Sequence, residues 1–382
     1  MSGATVLLLQ RRLVEYRVPL FEQLRARLGE AGVRLELVHG EGRPSEAARR
    51  DAGELSWARR VRSSYLPGEE GPAVRLDLPA AALEEAALVV LPADPGFLPL
   101  YRLAARRAWR GRPRLGFWGH GANFQARGGE RGARRILRRW VNRRPDWWFA
   151  YTRLSVDRVA ADGFPRARIT RLDNSVDTAA LARWRDEVTA GELEGLRREL
   201  GLGAGPRAVF VGGLHGHRRL PLLFEAAELL RARLPGFELV IIGDGPQAAA
   251  AREFAAGRAW VRWVGAQHGR EKVRHAMLGA VMLNPGMVGL TILDAFAVGL
   301  PIVTTDCGIH SPEIAYLEEG RNGVTSACDA AAFAGAAARL LEDGERRAAM
   351  AERCRRDAGR YTVEGMAERF VRGILAALGG AA

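Results

Sequence analysis

Asn284-Pro-Gly-Met-Val-Gly-Leu-Thr-Ile-Leu-Asp-Ala-Phe-Ala-Val-Gly-Leu-Pro301 is the stretch that decides how this chain is read. Its lead-in, Ala280 to Leu283, is an apolar strand that breaks at Pro285-Gly286. Gly289 then opens a helix whose apolar side is Leu290, Leu293, Phe296 and Ala297. The helix stops at Gly299, and Pro301 prevents its continuation. A second strand, Ile302 to Thr304, follows directly. The spacing therefore predicts strand, glycine turn, helix, strand. The first N–H groups of a helix have no internal partner and carry partial positive charge, so a glycine-bounded helix start suits an anion such as phosphate. The spacing alone suits a ligand-free βαβ unit equally well.

Around this stretch lies a chain of 382 residues, long enough for two or three domains. With 48% hydrophobic and 26% charged residues it reads as a soluble globular protein. No apolar run approaches ~18 residues, so no membrane-spanning helix is predicted. Met1 to Gln10 reads as a buried first strand rather than a signal peptide. Cys307, Cys328 and Cys354 lack metal-ligand spacing and read as free thiols of a reducing cytoplasm. The net charge is +13, and Lys272 is the only lysine among 57 basic residues. Arg102 to Arg144 holds fourteen arginines against the single acid Glu130. Such a face attracts phosphate, whether of nucleic acid, anionic lipid or lipid diphosphate, or it is simply a solvated surface. Within it, Arg131 to Arg144 sets Ile136, Leu137, Trp140 and Val141 among arginines. This suits a basic amphipathic helix on a membrane, and equally a helix packing its apolar groups inward.

In chain order, Thr5 to Leu9 is a buried parallel strand, and Pro19 opens a helix with Leu20, Phe21, Leu24 and Leu28 on one stripe. The loop between them carries Arg12, Tyr16 and Arg17 at a strand's carboxyl end, where open α/β sheets place ligands. These three are candidate contacts for an anionic acceptor, or ordinary loop residues. No G-x-G-x-x-G follows, which argues against a dinucleotide site. A later strand, Leu115 to Trp118, runs into Gly119-His120-Gly121-Ala122-Asn123. Flanking glycines let a substrate approach His120, whose neutral ring can bond a hydroxyl or pass a proton; Asn123 joins the acceptor candidates. The second half restarts at Ala208 to Val211, followed by Gly212-Gly213 and a helix from Leu220 to Leu234. Strand Glu238 to Ile242 leads to Gly243-Asp244-Gly245, and strand Trp260 to Val264 leads to Gly265-Ala266-Gln267.

Together these motifs resemble the group 1 (GT4-like) glycosyltransferases of the GT-B fold, in a divergent subgroup reading Pro-Gly-x-Val-Gly-Leu. The resemblance implies α/β architecture with two Rossmann-like domains facing across a cleft. It implies an acceptor domain at 1–178, a linker at 179–205, a nucleotide-sugar domain at 206–360, and a C-terminal helix at 361–382 crossing back to the first domain. On the family motif, Val288, Gly289, Leu290 and Thr291 form the turn facing the donor diphosphate. Arg218 stands where the family's phosphate-binding lysine falls and Gly213 where its arginine falls, and an arginine can clamp a diphosphate with two parallel bonds. Gly212, Gly243, Gly245, Gly265 and Gln267 fall at backbone contacts to the nucleotide. Asp294 replaces, one methylene shorter, the glutamate on the ribose. Gly286 replaces the glutamate that holds the transferred sugar. His120 falls where a histidine faces donor sugar and acceptor.

The implied reaction is retaining transfer, of a hexosyl type, from a nucleotide diphosphate sugar to an acceptor hydroxyl. Arg218 and the helix start would hold the leaving charge. The product class implied is a cell-surface polysaccharide or glycolipid. No Asp-x-Asp occurs and no cluster has metal-ligand spacing, so neither metal nor cofactor is expected. The partners expected are the nucleotide sugar, a glycan or lipid-linked acceptor, and an anionic membrane at Arg131–Arg144. The location expected is cytoplasmic, peripheral on the inner face of the membrane. Other readings are a nucleic-acid-binding protein, which lacks stacking aromatics or a recognition helix, and another GT-B enzyme such as a nucleotide-sugar epimerase. A phosphorylase would need a cofactor lysine, for which only Lys272 is available.

Overall fold

The computed structural model describes residues 3–47, 51–124 and 132–379. Its strands are β1 (Ala4–Gln10), β2 (Val33–His39), β3 (Arg59–Arg60), β4 (Ser63–Leu66), β5 (Ala73–Leu76), β6 (Ala86–Pro92), β7 (Arg114–Gly119), β8 (Trp147–Ala150) and β9 (Ile169–Arg171). The second half adds β10 (Arg207–Val211), β11 (Glu238–Ile242), β12 (Val261–Trp263), β13 (Val281–Asn284), β14 (Ile302–Thr305) and β15 (Gly323–Ser326). They form a parallel sheet ordered β3-β2-β1-β6-β7-β8-β9, a second ordered β12-β11-β10-β13-β14-β15, and a small antiparallel pair β4-β5.

The chain divides into two compact units, with boundaries at Val176/Asp177 and Thr362/Val363. In the first, alternate residues of the sheet feed two cores. Val6, Leu8, Val90 and Phe149 pack with the helix Val18–Glu30 and the C-terminal helix Val363–Gly379. Leu7, Leu9, Leu91 and Trp148 pack with Leu100, Leu103, Val141 and Val159 of the helices on the other face. Both faces are covered, which is why β1 and β6 read as unbroken apolar runs. The C-terminal helix belongs to this unit, with Phe370 tilted on Phe149 at 4.5 Å between ring centroids.

In the second unit, Phe210, Leu223, Leu230, Phe237 and Phe333 build the core between sheet and helices. Residues 179–205, read from sequence as a linker, lie in the capped helices Thr178–Glu187 and Ala190–Glu199 of this unit. Asp177 caps the first and Thr189 caps the second with Glu192 in a reciprocal capping box. The helix predicted from Gly289 runs Thr291–Val298 and ends at Gly299, whose φ is 83°. Only Asp294 of its eight residues escapes full burial, so there is no single apolar side as the sequence suggested. It packs between Thr178–Glu187 and Gly344–Ala358, and the Arg185 guanidinium donates to its Ala297 carbonyl at 2.7 Å. Among the described residues no helix is long and apolar enough to cross a membrane.

Candidate active site

In the second sheet the strand order reverses between β10 and β13, and open α/β sheets bind ligands at the carboxyl ends beside such a reversal. The loop after β10 and the turn after β13 meet there. The Met287 N–H donates to the His217 carbonyl at 2.8 Å. Arg218 Nη1 donates to the Met287 carbonyl at 2.5 Å, and its Nη2 reaches Thr291 Oγ1 at 3.3 Å. Arg218 is 7% exposed, its Nε has no hydrogen-bond partner, and no described carboxylate forms an ion pair with it. Burial pushes the guanidinium down to about 10, against a weak opposing pull from Asp294. It is a buried cation with no matching carboxylate among the described residues, an environment that favours an anionic partner.

The turn is fastened on its far side by a residue whose role the sequence did not reveal. His310 Nδ1 accepts from the Val288 N–H at 3.0 Å, and Nε2 donates to the Thr305 carbonyl at 2.7 Å. This pattern requires the neutral ring protonated on Nε2, and burial holds His310 below its ordinary value. The Thr305 hydroxyl donates to the Pro285 carbonyl at 2.7 Å. Because these bonds consume the N–H groups of Met287 and Val288, the next three, on Gly289, Leu290 and Thr291, donate to nothing among the described residues. They stand at the positive end of the helix, beside Arg218.

Gly286 is a necessity of this packing. A Cβ added there would lie 2.2 Å from the His217 carbonyl oxygen and 2.5 Å from the Arg218 carbonyl carbon. The backbone of residues 217–218 fills the space that a side chain at 286 would need, so the glutamate of the family motif has no room. Gly212, Gly243 and Gly245 serve a similar close approach. A Cβ on Gly243 would lie 1.9 Å from the Gly212 carbonyl oxygen, and one on Gly245 would lie 2.7 Å from the Leu214 carbonyl oxygen. The Gly243 N–H donates to the Gly265 carbonyl at 2.7 Å and Trp263 Nε1 donates to the Gly243 carbonyl at 2.9 Å, joining the ends of β10, β11 and β12. Gly213 is exposed beside His215, and Gln267 donates to the Val264 carbonyl at 2.8 Å. Asp294 is held by Lys272 at 2.6 Å, a partnership 22 residues apart that the sequence reading missed. Arg219 turns to the Cys328 sulfur.

The first unit gathers its own candidates at the ends of β1, β7 and β8. Arg17 is 4% exposed, donates to Asn174 Oδ1 at 2.7 Å, and lies 5.0 Å above the Trp118 ring and 5.6 Å from that of Tyr151. Tyr16 is exposed. The His120 ring meets Tyr151 edge to face at 4.6 Å. Gly121 has φ 75°, and a Cβ there would meet Val159 Cγ2 at 2.5 Å. Helix packing, rather than substrate approach, thus dictates that glycine. Arg12 donates to both Asp51 oxygens at 2.8 Å and lies 3.7 Å from Glu46, so its charge is matched within the protein. Asn123 is exposed.

This arrangement defines a class. The fold is GT-B: a glycosyltransferase from Rickettsia africae superposes with a TM-score of 0.71 at 11% identity, covering 100% of both chains. HepE of Anabaena, solved in complex with UDP, gives 0.69 at 14% identity over 97% of this chain and 100% of that one. Residues 205–343 match the family described as Glycosyl transferases group 1. This segment, which contains the loop after β10 and the turn after β13, is the part of the chain that is similar to the group 1 glycosyl transferases. A curated relative, D-inositol 3-phosphate glycosyltransferase of Corynebacterium urealyticum, is 31% identical over 199 residues, which are 48% of this chain and 46% of that protein. The match thus spans about half the length of that relative.

Proposed function

We propose that the protein transfers a sugar from a nucleotide diphosphate sugar to an acceptor hydroxyl, with retention of configuration and without a metal. The observation that carries this is Arg218, a buried guanidinium that has no carboxylate partner among the described residues, beside three N–H groups at the start of the helix Thr291–Val298 that donate to no described residue. A diphosphate satisfies both at once, and the same donors stabilise the leaving charge as the sugar departs. Gly212, Gly213, Gly243, Gly245, Gly265 and Gln267 present backbone and amide to the nucleoside, and Asp294 keeps one oxygen for ribose beyond its bond to Lys272. With Gly286 closed to side chains, the sugar is held by groups other than the family's acid. His120, Tyr16, Arg17 and Asn123 are assigned to the acceptor, a glycan or lipid-linked molecule of the cell surface. The location assigned is cytoplasmic and peripheral to the membrane. The binding of UDP and of UDP-glucose in HepE structures supports the donor class.

The test is a thermal-shift panel of UDP, GDP, ADP, dTDP, CMP and NAD with wild-type protein and Arg218→Met. A ligand at ~100 times its dissociation constant stabilises by roughly 2.7 kcal/mol. One nucleoside diphosphate should raise the wild-type midpoint, and that rise should vanish in Arg218→Met. No response to any nucleoside diphosphate, or an undiminished response in the variant, overturns the reading.

A further inference from the structure

The helix Gly132–Asn142 is turned inside out. An ordinary surface helix buries its apolar stripe and shows its charges to water. Here the inward residues are Arg138, Val141 and Asn142, which are 5%, 1% and 2% exposed. The Arg138 guanidinium donates to Asp162 at 3.1 and 3.3 Å, and the Asn142 amide donates to Asp162 Oδ2 and to the Gly121 carbonyl, both at 2.8 Å. A polar network therefore ties the helix to the C-terminal end of the helix Arg153–Ala161 and to the loop after β7. Its large apolar residues face out: Ile136 is 70% exposed, Leu137 42% and Trp140 43%. Of the four apolar residues the sequence singled out in this segment, Val141 packs inward and the other three face out; Arg131 lies outside the described residues.

The neighbouring helix Pro99–Arg110 covers the same face of the sheet and ends on Trp109, 81% exposed. Around these side chains the arginines fall into two sets. Arg106 and Arg110 pair with Glu84, and Arg107 pairs with Asp146. Arg135, Arg139, Arg143 and Arg144 are exposed and form no ion pair among the described residues, and Arg144 lies 4.1 Å over the Trp140 ring. We infer that the outward side of the helix Gly132–Asn142, with Ile136, Leu137 and Trp140 at its centre and the four arginines around them, is a docking surface for an anionic lipid bilayer. Aliphatic groups and indoles enter the boundary between headgroups and acyl chains, while the guanidiniums bind lipid phosphates. A nucleic acid would use the arginines but has no place for outward isoleucine and leucine. The inference rests on the first unit alone and stands apart from the donor reading.

The test is flotation of full-length protein with phosphatidylcholine vesicles, with and without phosphatidylglycerol. Wild-type protein should float with the anionic vesicles only. Ile136→Glu with Trp140→Glu should cut the bound fraction at least tenfold. Arg135→Gln with Arg139→Gln should weaken binding on the order of 25-fold, at about fivefold per arginine near an anionic surface. All four positions are exposed, so melting midpoints and the nucleotide response should stay at wild-type values, which separates this outcome from failure of the donor reading. No binding of wild-type protein to anionic vesicles overturns the inference. So does binding that survives Ile136→Glu/Trp140→Glu, and so does binding to duplex DNA without binding to vesicles.

Discussion

Restoring the family's glutamate at position 286 should abolish donor binding rather than improve it. The perturbation is Gly286→Glu, with Gly286→Ala as its minimal form. A Cβ at 286 would sit 2.2 Å from the His217 carbonyl oxygen, whereas real Cβ contacts essentially never fall under 3.0 Å. The loop must therefore retreat by about 1 Å, the shortfall between those distances with a small margin, and it carries Arg218 with it. Overpacking of this kind costs about 1–3 kcal/mol, which for a unit of this size lowers the melting midpoint by roughly 2–12 °C. A displacement of ~1 Å in a positioned group is worth on the order of a hundredfold in rate. The assay is a melting curve for each variant with and without the responding nucleoside diphosphate. Gly257→Ala is the control, since an added Cβ there meets nothing within 4 Å. A Gly286→Glu protein with the wild-type midpoint and an intact or larger nucleotide response refutes the packing argument.

Three further outcomes follow from other parts of the molecule. Arg138→Met leaves Asp162 buried without its cation and should cost about 3–5 kcal/mol, read by chemical denaturation; replacing both partners with apolar residues should cost less. Burial alone would raise the Glu46 carboxyl, but its bonds to Arg11 and Arg43 outweigh that and hold it at about 2, so its stabilisation is present above its ordinary value of 4.5 and lost as pH falls toward 2. A denaturation series across that window should show a drop that Glu46→Gln lacks. Native protein treated with a thiol reagent should label Cys328 and spare Cys354, which is fully buried and whose thiol burial pushes up.

Much of the fold was legible because parallel strands covered on both faces must be continuous apolar runs, as in Thr5 to Leu9 and Ala87 to Leu91. Gly299 and Pro301 marked the end of the helix Thr291–Val298 through backbone geometry that few other residues allow. What stayed hidden depended on partners distant in the chain. Arg12 looked available until Asp51 and Glu46 appeared beside it, and the clamp made by His310 on Val288 spans 22 residues. The direction of the helix Gly132–Asn142 was undecidable from periodicity, because Val141 and Trp140 are adjacent and only Asp162 fixes which side is drawn inward. At Gly286 the sequence showed a missing acid, and only the position of the 217–218 backbone shows that no acid can fit.

The bond between Lys272 and Asp294 has a practical consequence. In a chain with one lysine, only one side-chain amine is open to acylation, and here it grips the first turn of the helix Thr291–Val298. Amine-reactive labels, crosslinkers and biosensor surfaces will act either at the chain's own amino terminus or at this residue. Immobilising the protein through amines therefore risks capping the group that orients Asp294. A dye placed there on purpose gives a single-site label beside the proposed donor site, with which the proposal can be tested.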